Sequence, residues 1–148
     1  KLLLKLIRYF LDPINRFLVK SYKGINQTIN RINDQEFVYF TKRDDVSVLN
    51  QVLLYIRNNE HTRKLKIVSV FPDGEQATEK FVSDLDVLDR EYPEIKVEYI
   101  QLHGEFTPAL IKKLSTEWNI PINFMFIGSP SDRFPYPLQE LGGVRLII

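Results

Sequence analysis

Three side chains stand where a strand–helix protein could hold an anion: Lys42, Ser129 and Arg133. Lys42 follows the apolar run "FVYFT" (37–41), and Ser129 leaves the apolar run "NFMFIG" (123–128). A Gly-Ser turn after a buried strand can offer backbone N–H groups to a phosphate, provided a helix begins there. Lys42 and Arg133 would then meet the ligand's charge. The surrounding residues work against this chemistry. Pro130, Pro135 and Pro137 carry no N–H and impede a helix, while Asp44, Asp45 and Asp132 stand near enough in sequence to pair with both cations. No Walker A pattern and no G-x-G-x-x-G occurs in the chain, and one Gly-Ser step is a weak signal.

Other reactive constellations are weaker still. The run "GSP" is not the G-x-S-x-G of a nucleophile elbow. His61 and His103 fall at different element ends, and nothing in the pattern brings them together. The carboxylates of "DLDVLDRE" (84–91) lie along a helix beside its apolar stripe, which makes them a solvated face. Phe134 and Tyr136 sit among prolines in "RFPYPL" (133–138), a rigid loop suited to a protein contact or to packing over the sheet end. With 0 cysteines, disulfides and thiolate zinc sites are excluded. The expectation is a protein without catalytic residues, metal or cofactor.

The elements that must position these residues alternate. After "FVYFT", the stretch "RDDVSVLNQVLLYIRNNE" (43–60) reads as a helix with Asp44 as its cap. Its inner face is Val48, Leu49, Val52, Leu53 and Ile56. "KIVSVF" (66–71) is a second strand. Thr78, Phe81, Leu85, Leu88 and Tyr92 recur at helical spacing before Pro93. "IKVEYIQL" (95–102) alternates apolar and polar, as an edge strand does. In "TPALIKKLSTEW" (107–118), Thr107 suits an N-cap and Pro108 a first helical position. "NFMFIG" reads as a buried central strand and "GGVRLII" (142–148) as a final strand.

This order implies right-handed crossovers and a mostly parallel sheet. The expected fold is an α/β three-layer sandwich of flavodoxin or universal-stress type, with five strands in the order 3-2-1-4-5. The strands at 95–102 and 142–148 then form the edges, and the ligand crevice lies between 37–41 and 123–128. The C-terminal run "RLII" has no gatekeeping Lys or Pro after Arg145, and an edge of that kind invites pairing with a second copy.

Charge divides the chain. Residues 1–33 hold seven Lys/Arg against one Asp, and residues 34–148 hold thirteen Lys/Arg against eighteen Asp/Glu. The reading is therefore a basic arm over 1–33 and a mildly acidic globule over 34–148, joined in the polar stretch "KGINQTINRINDQE" (23–36). Such a globule lacks the basic face that nucleic-acid binding needs. The arm opens "KLLLKLIRYFLDPINRFLVK" (1–20). Its charges, Lys1, Lys5, Arg8, Asp12, Arg16 and Lys20, share one arc of a helix of ~100° per residue, and apolar residues fill the rest. Lys5 and Arg8 interrupt the ~20 apolar residues that a membrane span needs. The pattern fits an amphipathic helix lying in an anionic interface, kinked or broken at Asp12-Pro13, with Lys1, Lys5, Arg8, Arg16 and Lys20 reaching phosphates. A heptad through Leu4, Ile7, Leu11, Ile14, Leu18, Ser21, Ile25, Thr28 and Ile32 could alternatively seat a partner helix, or the helix could pack on its own domain.

With these residues in view, the chain resembles the C-terminal cytosolic domain of bacterial amino-acid permeases of the amino acid–polyamine–organocation superfamily. The stretches that carry the likeness are "RYFLDPINRFLVK", "FVYFTKRDDVSVLNQVLLYIRNNE" and "NFMFIGSPSDRFPYPLQELGGVRLII". The resemblance implies a twelve-helix transporter with this domain on the cytoplasmic side of the cell membrane. It also implies a fold similar to universal stress proteins and to the cytosolic portions of cation–chloride cotransporters, which pair into dimers. Substrate and ion ligands would belong to the membrane core, so none maps onto this chain. Nucleotide-binding universal stress proteins carry a G-x-x-G, nine-residue, G-[ST] pattern, and here Ser131 and Leu141 stand at its later glycine positions. The resulting expectation is a non-catalytic regulatory or assembly domain of a transporter. Its partners would be the anionic inner leaflet, the transporter's transmembrane core and a second copy, with no nucleic acid. The alternatives are a sensing module that binds a nucleotide or other anion at Lys42, Ser129 and Arg133, and a free-standing stress-type protein whose first helix packs on its own sheet.

Overall fold

The computed structural model describes residues 34–41, 46–128 and 136–147. The expected N-terminal amphipathic helix, with Lys1, Lys5, Arg8, Arg16 and Lys20, lies outside the described residues, and so does the expected cap Asp44. Residues 34–148 form one compact unit.

Its elements run β1 (Glu36–Thr41), α1 (Val46–Asn59), β2 (Lys64–Phe71), α2 (Glu79–Glu91), β3 (Lys96–His103), α3 (Pro108–Trp118), β4 (Met125–Gly128) and β5 (Arg145–Ile147). The five strands make one sheet in the order β3-β2-β1-β4-β5, and every pairing in it is parallel. The expected α/β sandwich and strand order are those of the structure.

Alternation along β1 explains the two layers of core. Phe37 and Tyr39 point to one face, where they pack with Leu49, Leu53 and Ile56 of α1 and Phe81, Leu85 and Leu88 of α2. Val38 and Phe40 point to the other, with Ile111 and Leu114 of α3. A strand buried on both faces must be apolar throughout, which is why "FVYF" shows no alternation. Both crossovers β1-α1-β2 and β2-α2-β3 step the same way and place their helices on one face. The return from β3 to β4 steps back and places α3 on the other, as right-handed connections require.

Local chemistry sets the helix starts. The hydroxyl of Thr78 accepts from the Phe81 N–H at 3.2 Å, and that of Thr107 accepts from Leu110 at 3.1 Å. Thr78 is thus the cap of α2 rather than part of its inner face, a distinction that periodicity alone blurs. Pro108 occupies the first turn of α3, and Asn119 closes that helix at φ 53°.

Among the described boundaries that differ from the sequence reading, three differ by more than one residue. β2 begins two residues earlier than "KIVSVF", at Lys64. Residues Ile122–Phe124 form a 3-10 turn rather than the start of β4, because the Phe124 N–H bonds back to the Pro121 carbonyl at 2.9 Å. The strand expected from Gly142 begins only at Arg145. Gly142 and Gly143 take positive φ, 72° and 110°, after a 3-10 turn over Leu138–Leu141. The side chain of Ile147 turns into the core at 8% exposure, so β5 is a short edge whose last described residue serves packing.

Candidate functional site

In a sheet of this order the strand sequence reverses between β1 and β4, and ligands in such folds gather at the carboxyl ends flanking that point. The described residues there are Tyr39, Phe40 and Thr41 of β1, Ile127 and Gly128 of β4, and Ser69 of β2, which pairs with Thr41. Ser69 is 4% exposed and Tyr39 3%. The expected contacts Lys42, Ser129 and Arg133 lie outside the described residues, together with Asp44, Asp45, Asp132 and Phe134.

The Tyr39 ring lies across the strand from Gly128. A Cβ built on Gly128 would fall 2.9 Å from the Tyr39 hydroxyl oxygen. Gly128 therefore fits the turn because an aromatic side chain from the neighbouring strand already occupies the space above it. On the opposite face Phe40 stacks edge-on against Phe106, with ring centres 5.1 Å apart. The two faces of the switch point are thus lined by aromatic core. Thr41 and Ser69 add hydroxyls, which can hydrogen-bond a neutral group but carry no charge to hold a phosphate.

The two histidines are kept apart. His61 precedes the amino end of β2, while His103 pairs with Phe71 at its carboxyl end. Eight residues of strand put them roughly 20 Å or more from one another. His103 Nε2 lies 3.2 Å from the Glu75 carbonyl, holding the loop before α2. Asp86, Asp89 and Glu91 are exposed on α2. Among the described residues no three His, Cys, Asp or Glu side chains are grouped to hold a metal ion. Nor is any described helix long and apolar enough to cross a membrane.

Two charged arrangements escaped the sequence reading. Lys66 projects from the central strands between Glu36, 3.1 Å away, and Glu98, which it also bonds. Its ammonium sits 5.7 Å from the centre of the Trp118 ring. Burial opposes the charge on Lys66, but hydrogen bonds and attraction from Glu98 and Glu36 outweigh it. The amine is held above its ordinary value of 10.5. The second arrangement ties β5 to the end of α1. Arg145 donates to Glu60 at 3.0 Å while its guanidinium lies 4.3 Å from the centre of Phe126. The signal for the first was available in principle: Glu36, Lys66 and Glu98 share one parity, but only the register sets Lys66 beside Glu98 and diagonal to Glu36, which pairs with Lys64.

Comparisons of the chain with protein-family models, with curated proteins and with solved structures find no match. The assignment of function rests on the residues.

Proposed function

We propose that this chain is a non-catalytic cytosolic assembly or regulatory domain of a membrane amino-acid permease. The observation that carries the reading is the packing of Tyr39 over Gly128 at the switch point. With Tyr39 packed above Gly128, the described part of the place where this topology takes ligands is filled by core side chains. Among the described residues, the sheet edges and the helix faces are the surfaces that suit contact with another macromolecule.

Charge and sequence supply the identity of that partner. A basic amphipathic arm of net +6 precedes an acidic globule of net −5, the arrangement expected of a domain that hangs from a cytoplasmic leaflet. The resemblance to permease C-terminal domains adds the transporter. In this reading the arm lies against anionic lipid, and the globule meets a second copy or the inner face of the transmembrane core.

The test is fractionation of the source cells with an antibody raised against residues 34–148. The reading expects the signal in membranes, resistant to alkaline carbonate, and cleavable by protease in inside-out but not right-side-out vesicles. A signal confined to the soluble fraction would sink it.

A further inference from the structure

Of all the Asp and Asn residues in the sequence, Asp73 alone is followed by Gly, in the run "FPDGEQAT" (71–78) between β2 and α2. The side-chain carbonyl carbon of an Asp or Asn can close a five-membered ring with the backbone nitrogen of the next residue. A glycine there has no Cβ to obstruct the approach. Asn50, Asn58, Asp84, Asp86 and Asp89 precede bulkier residues and lie within α1 and α2. The nitrogen that follows each of them is committed to a helical hydrogen bond.

The local structure leaves Asp73 and Gly74 free to meet. Pro72 to Glu75 form a β-turn, closed by the Glu75 N–H donating to the Pro72 carbonyl at 3.1 Å. Gly74 is its third residue at φ 88°, the conformation that a type II turn asks of a glycine at that position. A Cβ built on Gly74 would meet nothing within 4 Å. Both residues are exposed. Among the described residues, neither the Asp73 carboxyl nor the Gly74 N–H has a hydrogen-bond or ion-pair partner. No such contact has to break before they react.

We propose that Asp73-Gly74 is a modification site: it isomerises spontaneously to isoaspartate and becomes a substrate for methyltransferases that esterify isoaspartyl carboxylates. The Gly74 nitrogen attacks Cγ of Asp73, forming the C–N bond of a succinimide. The amide proton and the carboxyl hydroxyl leave as one water. One water then returns. Its attack at the side-chain carbonyl restores aspartate. Attack at the main-chain carbonyl routes the chain through Cβ and Cγ and frees the α-carboxylate. Atoms and electrons are unchanged overall, and no co-reactant besides water is used. The freed carboxylate oxygen can then take the methyl group of S-adenosylmethionine, breaking its C–S bond and releasing S-adenosylhomocysteine.

The isomer lengthens the turn by one methylene, and the open space around Gly74 takes it up. The chain beyond is tied to β3. His103 Nε2 lies 3.2 Å from the Glu75 carbonyl, and the Gln101 side chain accepts from the Ala77 N–H at 3.2 Å. The Thr78 cap then fixes the start of α2. These ties confine the change to residues 72–77, with the His103 contact nearest to it. β2 and α2 persist, and the altered turn stays displayed at the carboxyl end of the sheet. The inference draws on neither the membrane nor the assembly reading.

The full chain is aged for several weeks at 37 °C and neutral pH, then digested with trypsin. The peptides are treated with an isoaspartyl methyltransferase and labelled S-adenosylmethionine. Cleavage after Lys66 and Lys80 puts the turn in the peptide 67–80, in which Asp73 is the only Asp and no Asn occurs. Label should rise with time in that peptide, at a rate within fivefold of a synthetic peptide 67–80 aged alongside. Asp73→Glu, which would need a six-membered ring, should lower the label there at least tenfold. Asp73→Asn, which releases ammonia rather than water, should raise it at least fivefold. Three results would each overturn the site: a folded chain more than fivefold slower than the free peptide, label that persists in Asp73→Glu, or an Asp73→Asn chain no faster than the native one. The first would mean that the turn protects the pair instead of presenting it.

Discussion

The hydroxyl of Tyr39 stands 2.9 Å from the point a Gly128 Cβ would occupy, across the strand pair where the sheet order reverses. Real Cβ atoms do not sit that close to an oxygen they are not bonded to, and the Tyr39 ring is 3% exposed within a packed core. Gly128→Ala must therefore push an aromatic ring. Overpacking of this kind costs about 1–3 kcal/mol. The nearest ring carbon is 4.0 Å away, so removing only the hydroxyl restores ordinary contact distance. Urea unfolding of Gly128→Ala, Tyr39→Phe and the double variant forms a cycle. The expected result is a favourable coupling of at least about 0.5 kcal/mol. Strict additivity would mean that the two residues do not share the space as described.

Legibility of this fold in the sequence followed the strength of each local pattern. The strand order followed from alternation alone, because apolar β1 and β4 demanded burial on both faces and β3 did not. The cap at Thr107 and the Pro108 that follows it were readable because their chemistry is local. Thr78 was harder: its spacing fits both a cap and an inner-face residue, and only the hydrogen bond to the Phe81 N–H decides. Phe124 reads as strand because it is apolar, yet Pro121 draws its N–H into a turn. The packing of Tyr39 over Gly128 was not legible, since the two are neighbours only through the β1–β4 register. The Lys66 cluster was hidden for the same reason. Pairings across a sheet depend on register, which short-range periodicity does not encode.

Lys66 carries a pH dependence with a defined sign. Its folded-state pKa lies above the ordinary 10.5, because the carboxylates Glu98 and Glu36 outweigh the cost of burial. A raised pKa means that the stabilisation is fully present below the unfolded value and is lost as pH rises through the folded one. The chain should therefore unfold more readily above about pH 10.5, and part of that loss should vanish in Lys66→Met. The variant should also be less stable at neutral pH, since Glu36 and Glu98 lose the cation they share. Chemical unfolding at pH 8, 10 and 11 of both proteins checks this. A constant difference between them across the range would contradict the assignment of the cluster to Lys66.

The packing of Tyr39 over Gly128 also bears on ligands. Titration of the full chain with ATP, ADP and cyclic dinucleotides by calorimetry should show no dissociation constant below ~10 μM, which corresponds to about −7 kcal/mol. The grounds are Tyr39 above Gly128, the uncharged hydroxyls of Thr41 and Ser69, and the prolines at 130, 135 and 137. Tighter binding that Lys42→Ala or Arg133→Ala removes would favour the sensing alternative, and would place the ligand on those two side chains.

The last prediction concerns the arm at residues 1–20. Its charges share one helical face, so a helix lying flat puts Leu2, Leu3, Leu6, Ile7 and Phe10 toward acyl chains while Lys1, Lys5, Arg8, Arg16 and Lys20 reach phosphates. Each basic side chain near an anionic leaflet contributes about 1 kcal/mol, so five supply roughly 3–5 kcal/mol. Each fully buried Leu, Ile or Phe adds about 1.5–3 kcal/mol. The electrostatic part is screened within a Debye length of ~8 Å at physiological salt, and the apolar part is not. The full chain should therefore float with anionic vesicles, more weakly at high salt, and poorly with neutral ones. Charge reversal by Lys5→Glu with Arg8→Glu should release it, whereas residues 34–148 alone should stay in the dense fraction. The same apolar arc could instead pack against protein, and the experiment separates the two. If removing residues 1–20 leaves flotation unchanged, or unfolds the rest of the chain as read by circular dichroism, the arm belongs to a protein core rather than to the leaflet.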